Sequence, residues 1–471
     1  MSGVRNYAVI YTLRVARLAL ATALLSTPIA APALAQAIAA STLGLERDTR
    51  IVAAMREISP ARLRAMDSVL VAFGTRHTLS DTLSATRGVG AARRWIHAQL
   101  LAASRDCGDC LRVEYDTGSA VVTRHPERPT THLVNVVAWL PGRDTSRVIV
   151  IGGHFDSCIC SINSMDAESD APGADDDGSG TVAVMELARV VGEHFPRGLE
   201  ASVAFVLYTG EELGLMGSTQ FAERLKREGK EVTAAFTDDI IGNVVAEDGR
   251  VDSTSVRVFA VDSLALGGSE LARYVWGVGT LYQPEFEVIP VFRLDRLGRA
   301  GDHAPFHRQG IPALRFSERL ENYRRQHLPT DALEDVNFGY VAQVARLNLA
   351  TVVALASAPP RPVRTAAARD RASGGQSFTI RWDAVPGAAS YELLVRRTTA
   401  PTYTRIVKVG AVTEFLLDEQ LDDVWVGVRA VGANGHRSLT TVVGAPGGPR
   451  FPLQRRSAAA PVDTSAARSF R

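Results

Sequence analysis

Between residues 48 and 104 apolar side chains recur every three or four positions, at Leu63, Met66, Val69, Leu70 and Phe73 and again at Ala92, Trp95, Ile96 and Leu100. That spacing places an apolar stripe along helices. The pattern then changes to continuous apolar runs, LVNVVAWLPG and VIVIGGH, whose β-branched content suits strands buried on both faces of a helix-covered sheet. Helix and strand patterns follow in turn. SGTVAVMELARVVGEHF, MGSTQFAERLKREG and SELARYVWGV read as helices, while ASVAFVLYTGEE, EVTAAFTDDIIGN and IPALRFSE read as strands. A long apolar helix, VNFGYVAQVARLNLATVVALAS, closes the series. This alternation predicts an α/β domain over 45–358 with a mainly parallel, mixed sheet and helices on both faces.

At 359–364 the sequence becomes PPRPVR, a linker composition. Period-two alternation follows in FTIRWDAVP, SYELLVRR, TRIVKVG, TEFLLD and VWVGVRAVG, which predicts a small all-β sandwich over 362–445. With Trp382 on an early strand and Tyr391 opening a later one, this module resembles a fibronectin type III domain. Residues 446–471 carry too little apolar content to fold and are expected to form a disordered tail.

Composition narrows the function classes. Apolar residues make up 46%, charged residues 22%, and the formal net charge is +1, so no basic field suggests a nucleic-acid partner. At the N-terminus Arg5, Arg14 and Arg17 precede the short apolar run LALATALLSTPIAAPALA, and Ala33 and Ala35 form an A-x-A pattern. Residues 1–35 therefore read as a signal peptide cleaved before Gln36, with export to a periplasm or the medium and no membrane anchor afterwards. The four cysteines form a C-x-x-C pair, Cys107 and Cys110, and a C-x-C pair, Cys158 and Cys160. In an oxidising compartment an even count favours disulfides over a zinc knuckle. Each pair could close on itself or the pairs could cross-link. The small ring of a C-x-C bridge tilts the expectation towards cross-linking.

Polar residues gather just after the apolar strands: His154 and Asp156 after VIVIGG, Glu211 and Glu212 after VAFVLYTG, and Asp239 after EVTAAF. In an open α/β sheet the carboxyl ends of the strands form the ligand crevice, so these groups should converge. Singly each is weak, because a lone His or an acidic turn is common on any surface. Together, several hard and borderline ligands at one sheet edge point to a metal centre.

The motifs GGHFDS, APGADDDGSG, GEELG, DIIGN, GDHAPFHRQGIPAL and QHLPTDALEDV, in that order, make residues 60–355 resemble the co-catalytic zinc aminopeptidases of metallopeptidase family twenty-eight. Carboxypeptidases, dipeptidases and glutaminyl cyclases of the same fold are the nearest alternatives, and a non-catalytic binding or adhesion protein is a remote one. The resemblance implies the phosphorylase/hydrolase-like fold of zinc exopeptidases and two zinc ions per chain. His154 and Asp239 would hold one, Glu212 and His327 the other, and Asp176 would bridge them. Glu211 would be the general base acting on a metal-bridged water, and Asp156 would accept the free imidazole N–H of His154. Asp175 and Asp177 would be turn or cap residues, Asp166, Glu168 and Asp170 would face water, and His303 would be a helper rather than a ligand. Gln326 stands where many relatives carry a Tyr that stabilises the oxyanion, so Tyr323 becomes a candidate donor. Asp238 adds a carboxylate beside the metal Asp that is either paired or in reach of a substrate amine. The implied partner is a peptide or protein substrate.

Overall fold

The computed structural model describes residues 47–122, 130–263 and 267–444. The expected signal peptide and tail lie outside the described residues. Eight strands form the first sheet: β1 (Arg112–Val121), β2 (Thr130–Leu140), β3 (Asp144–His154), β4 (Ala201–Tyr208), β5 (Glu231–Asp238), β6 (Ser255–Phe259), β7 (Glu287–Val291) and β8 (Ala313–Glu318). Their order is β1-β2-β4-β3-β5-β8-β6-β7. The inner block β4-β3-β5-β8 is parallel. β1, β2 and β6 join antiparallel, while β7 runs parallel to β6.

The run ASVAFVLY of β4 is buried at all eight positions, as the continuous apolar pattern requires. Each Val, Leu or Phe removed from water there contributes about 1.5–3 kcal/mol. The helices covering the sheet are α1 (Thr49–Glu57), α2 (Pro60–Ala72), α3 (Gly88–Asp106), the short α4 (Cys160–Asn163), α5 (Gly180–His194), α6 (Met216–Arg227), α7 (Gly268–Tyr282), α8 (His303–Arg308) and α9 (Phe338–Ala356). Their starts carry the expected signals. Ser59 caps α2 ahead of Pro60, and the Asn337 side chain accepts from the Tyr340 amide to cap α9. Helix α9 is long and apolar enough to cross a membrane, yet 83% of its apolar window is buried against this sheet and its neighbouring helices.

Three strands of this sheet were not anticipated. β1 is half-exposed along its length, and β6 and β7 are only five residues long, too short to show a clear period of their own, so none leaves a strong signal. β2 reads like a parallel core strand but pairs antiparallel on both sides.

The cysteines close locally, as Cys107–Cys110 and Cys158–Cys160, which corrects the cross-link expectation. The reason is distance. The first pair ends α3 and packs on Gly192 near the end of α5. The second follows β3, where the Thr181 hydroxyl at the start of α5 donates to the His154 carbonyl. Helix α5 separates them by roughly 18 Å at 1.5 Å per residue.

Two small antiparallel sheets follow: β9 (Thr365–Arg369), β10 (Phe378–Trp382) and β13 (Glu414–Leu417) in one, β11 (Ala388–Arg397), β12 (Arg405–Gly410), β14 (Val424–Gly432) and β15 (Thr441–Val442) in the other. Ile380 and Trp382 from the first sheet share a core with Leu393 and Val428 from the second. The segment read as a linker is packed rather than free, since Pro359 and Pro362 are buried. Across the junction the Tyr403 hydroxyl donates to Glu270 at 2.9 Å, and Asn434 Nδ2 donates to the Ser357 carbonyl at 2.9 Å.

Candidate metal centre

The parallel core delivers its chain ends to one place. His154 is the last residue of β3, Asp239 follows β5, Glu211 and Glu212 lie in the turn after β4, and His327 lies in the loop after β8. Asp176 comes from the tight turn Ala174–Ser179 that leads into α5. The Asp176 carboxylate faces two histidines, Oδ1 at 3.3 Å from His154 Nε2 and Oδ2 at 3.1 Å from His327 Nε2. His327 Nε2 is also 3.2 Å from Glu212 Oε2, and His154 Nε2 is 3.8 Å from Asp239 Oδ1. Ligand atoms of His154, Asp176 and Glu212 lie within 4.8 Å of one another, as do those of His154, Glu211 and Asp239. Cys158 approaches Glu212 and His327 at the same range, but its sulfur is bonded to Cys160 and offers no thiolate.

These atoms fit a cation. The Nε2 of His154 and Oε1 of Glu212 are buried and make no hydrogen bond. Burial, followed by the charges of neighbouring carboxylates, pushes Glu211 and Glu212 well above the usual range. Burial acts to lower His154, yet the carboxylates of Asp156, Asp176 and Asp239 beside it raise it well above its usual value. So much crowded negative charge with open ligand atoms is what a divalent ion relieves.

The surrounding groups fix these ligands in place. His154 Nδ1 donates to the Asp156 carbonyl at 3.1 Å, which leaves Nε2 to face the centre. The Asp156 carboxylate is farther, at 3.6 Å. It accepts instead from the Thr78 hydroxyl and from the Glu211 and Glu212 amides at 2.9, 3.2 and 3.3 Å. Asp156 thus serves both neighbours: its carboxylate holds the acidic turn and lies beside the imidazole, and its main-chain carbonyl is the nearer acceptor for Nδ1. Asp177 caps α5 as expected, Oδ1 accepting from the Gly180 amide, and its Oδ2 accepts from the His154 amide. Asp175 does not cap; it is buried and accepts from the Gly242 amide at 2.8 Å. His327 has a φ of 57° and Ile240, after Asp239, a φ of 52°, left-handed conformations that cost a non-glycine residue energy and gather at functional sites.

The remaining expectations divide. Glu168 and Asp170 are exposed, and Asp166 is half-buried while accepting from the Glu168 and Ser169 amides. His303 starts α8 with Nε2 on the Leu294 carbonyl, belongs to none of the clustered ligand groups, and is lowered by burial to about 4. Asp238 is paired, accepting from Asn348 Nδ2 at 2.6 and 2.7 Å, and so does not reach for a substrate amine. Gln326 accepts from Arg299 and donates to Glu321, while Tyr323 is 53% exposed with Arg299 over its ring.

Two supporting residues escaped the sequence reading. Asp331 accepts from the amides of both Asp175 and Asp176 at 2.9 Å and so aims the shared carboxylate. It lies in the quoted segment QHLPTD, where His327 drew attention. Arg315, 1% exposed, pairs with Asp239 Oδ1 at 2.8 Å and Asp295 Oδ2 at 3.1 Å. Its signal was a cation inside an apolar strand run, which must find a carboxylate.

The sequence profile of Peptidase family M28 matches residues 135–352. A probable zinc metalloprotease of Pyricularia oryzae is 36% identical over 434 residues, covering 84% of each chain. This chain belongs to peptidase family M28. Another probable zinc metalloprotease, from Pyrenophora tritici-repentis, is 35% identical over 83% of this M28 chain and 86% of its own. Among solved structures, the LapA aminopeptidase of Legionella pneumophila is 21% identical with a TM-score of 0.51, covering 66% of this chain and 76% of its own. Porphyromonas gingivalis glutaminyl cyclase is 17% identical with a TM-score of 0.50, covering 62% and 97%. The M28 chain is accordingly a zinc metalloprotease with the mixed α/β fold of those structures.

Proposed function

We propose that this M28 protein is an exported di-zinc exopeptidase, an aminopeptidase that removes N-terminal residues from peptides. The observation that carries the reading is the Asp176 carboxylate, which offers one oxygen towards His154 and the other towards His327. In this reading His154 and Asp239 hold one zinc, Glu212 and His327 the other, and Asp176 spans both. Bound zinc supplies a Lewis acid and makes water acidic enough to act near neutral pH.

Glu211, not counted among the ligands, takes the proton and later passes it to the leaving amine. Its raised carboxyl matches a base that must also release its proton. Asp156 keeps Glu211 aimed by holding its amide. Gln326 is committed to Arg299 and Glu321, so this chain places no free side-chain donor for the oxyanion at that position. The LapA neighbour, an aminopeptidase, supports the choice of class.

Aminoacyl p-nitroanilides, tested with and without a chelator, check the activity. Cleavage that needs metal is expected, and none on any amide with zinc present refutes the peptidase reading. Glu211→Gln should cost about 10²–10⁴ in turnover while keeping the metal. Elemental analysis should find two zinc ions, with one lost in His327→Ala but not in His303→Ala. A single zinc with cyclisation of N-terminal glutamine would favour the cyclase alternative. Export predicts a mature N-terminus at Gln36.

A further inference from the structure

A second concavity, of about 560 Å³, opens where the β-module meets the α/β domain. Its walls are the start of α1, one side of α7, the end of α9, strands β12 and β14, and the turn after β14. None of these elements carries a residue of the metal centre.

Six fixed cations line it: Arg47, Arg50, Arg273, Lys408, Arg429 and Arg437. Three carboxylates answer them. Asp48 pairs with Arg50 at 2.7 Å, Glu270 with Arg273 at 2.7 Å, and Glu392 with both Arg429 and Arg437 at 2.6 and 3.2 Å. Among the described residues that leaves an excess of three positive charges. Among the described residues Arg47 donates to the Leu281 carbonyl and makes no ion pair, and Lys408 makes none either. The Tyr274 hydroxyl also lines the space. Burial pushes it up, beyond the reach of nearby Arg429 and Arg437, so it remains a neutral donor among cations.

Such a surplus is unusual in a concave junction. Like charges held together cost energy, and a surface with no use for them would spread them out or pair them. The volume lies in the range of small-molecule sites, which often form at domain interfaces. Residues 445–471 carry five arginines against one aspartate, so that segment holds no negative surplus to answer these cations.

We infer that this interdomain cleft binds a small anion carrying two or more phosphate or carboxylate groups. Arg47 and Lys408 approach it from opposite modules, so the bound anion ties the β-module to the α/β domain. Tyr274 donates a hydrogen bond from the cleft floor.

The test is calorimetric titration of the zinc-loaded protein at low ionic strength with two weakly chelating probes, tricarballylate for carboxylates and fructose 1,6-bisphosphate for phosphates. Binding of either probe, with a matching rise in melting temperature, is expected, and the stronger probe identifies the anionic group. Lys408→Glu, an exposed change, should weaken that binding by about tenfold or more. Tyr274→Phe should weaken it by about threefold without altering charge. Absence of binding by both probes at millimolar concentration overturns the inference. So does binding that neither substitution changes, because such binding resides elsewhere.

Discussion

Replacing Arg315 by Met tests whether the centre's charge is balanced as the geometry indicates. Arg315 donates to Asp239 Oδ1 at 2.8 Å, to the Asp239 carbonyl at 3.1 Å and to Asp295 at 3.1 Å. Burial raises Asp239, and the Arg315 charge is the first influence holding it down. Met preserves most of the volume of the stem but strands one carboxylate. Asp295 keeps Arg296 at 3.0 Å, so Asp239 bears the loss. Removing one partner of a buried pair costs about 3–5 kcal/mol, and with Asp295 still paired the lower end, about 3 kcal/mol, applies. At about 2 °C per kcal/mol the metal-free melting temperature should fall by about 6 °C. A bound cation supplies Asp239 with another partner, so the fall should shrink to about 3 °C or less with zinc. Differential scanning calorimetry of both proteins, with chelator and with excess zinc, measures the two differences. A metal-free shift under about 1 °C, or a larger shift with zinc than without, would refute the reasoning.

Three further outcomes follow from the geometry. Asp331→Ala removes the acceptor for the Asp175 and Asp176 amides, so zinc affinity, measured by competition with a chromophoric chelator, should fall about 10–100-fold. Gly217→Ala would put a Cβ 2.2 Å from the Thr209 carbonyl oxygen and 2.4 Å from Asn135 Oδ1, so it should destabilise the turn behind Glu211 by about 3 kcal/mol, visible in thermal melting. Asp48, although burial acts to raise it, is lowered to about 2 by Arg50 and His436. Because the folded value lies below the unfolded one, its contribution is present above about pH 4 and lost as pH falls towards 2. Asp48→Asn should therefore narrow the stability difference from the parent across that interval by about 1 kcal/mol, after allowance for its partial exposure.

The parallel core and the metal centre were legible because both rest on strong local signals. A strand segment buried on both faces must be apolar, as residues 148–151 of β3 and 203–207 of β4 are, and a polar group just beyond it has few reasons to sit there except function. What escaped depends on contacts that no local pattern encodes. β6 and β7 are short strands: β6 is placed by pairing with β8 and β7 by pairing with β6, not by their own periodicity. Asp156 was rightly attached to His154, yet its carboxylate serves a turn fifty-five positions away, and sequence spacing gives no account of that bond.

The same limit explains the misread linker and has a consequence for the β-module. PPRPVR has the composition of a spacer, but prolines also pack well, and Pro359 and Pro362 are buried here. Whether such a segment swings or docks is decided by what lies opposite. Opposite it are Tyr403 on Glu270, Asn434 on Ser357 and His436 Nε2 at 3.1 Å from Asp48 Oδ2, three polar ties between the modules in largely buried surroundings. Buried polar bonds are costly to leave unmade, so the module is held in one orientation instead of sampling many. Its cations at Lys408, Arg429 and Arg437 are therefore presented at fixed positions against Arg47 and Arg50. A flexible tether would let that repulsion relax, whereas a docked module keeps the charges together for an anion to satisfy.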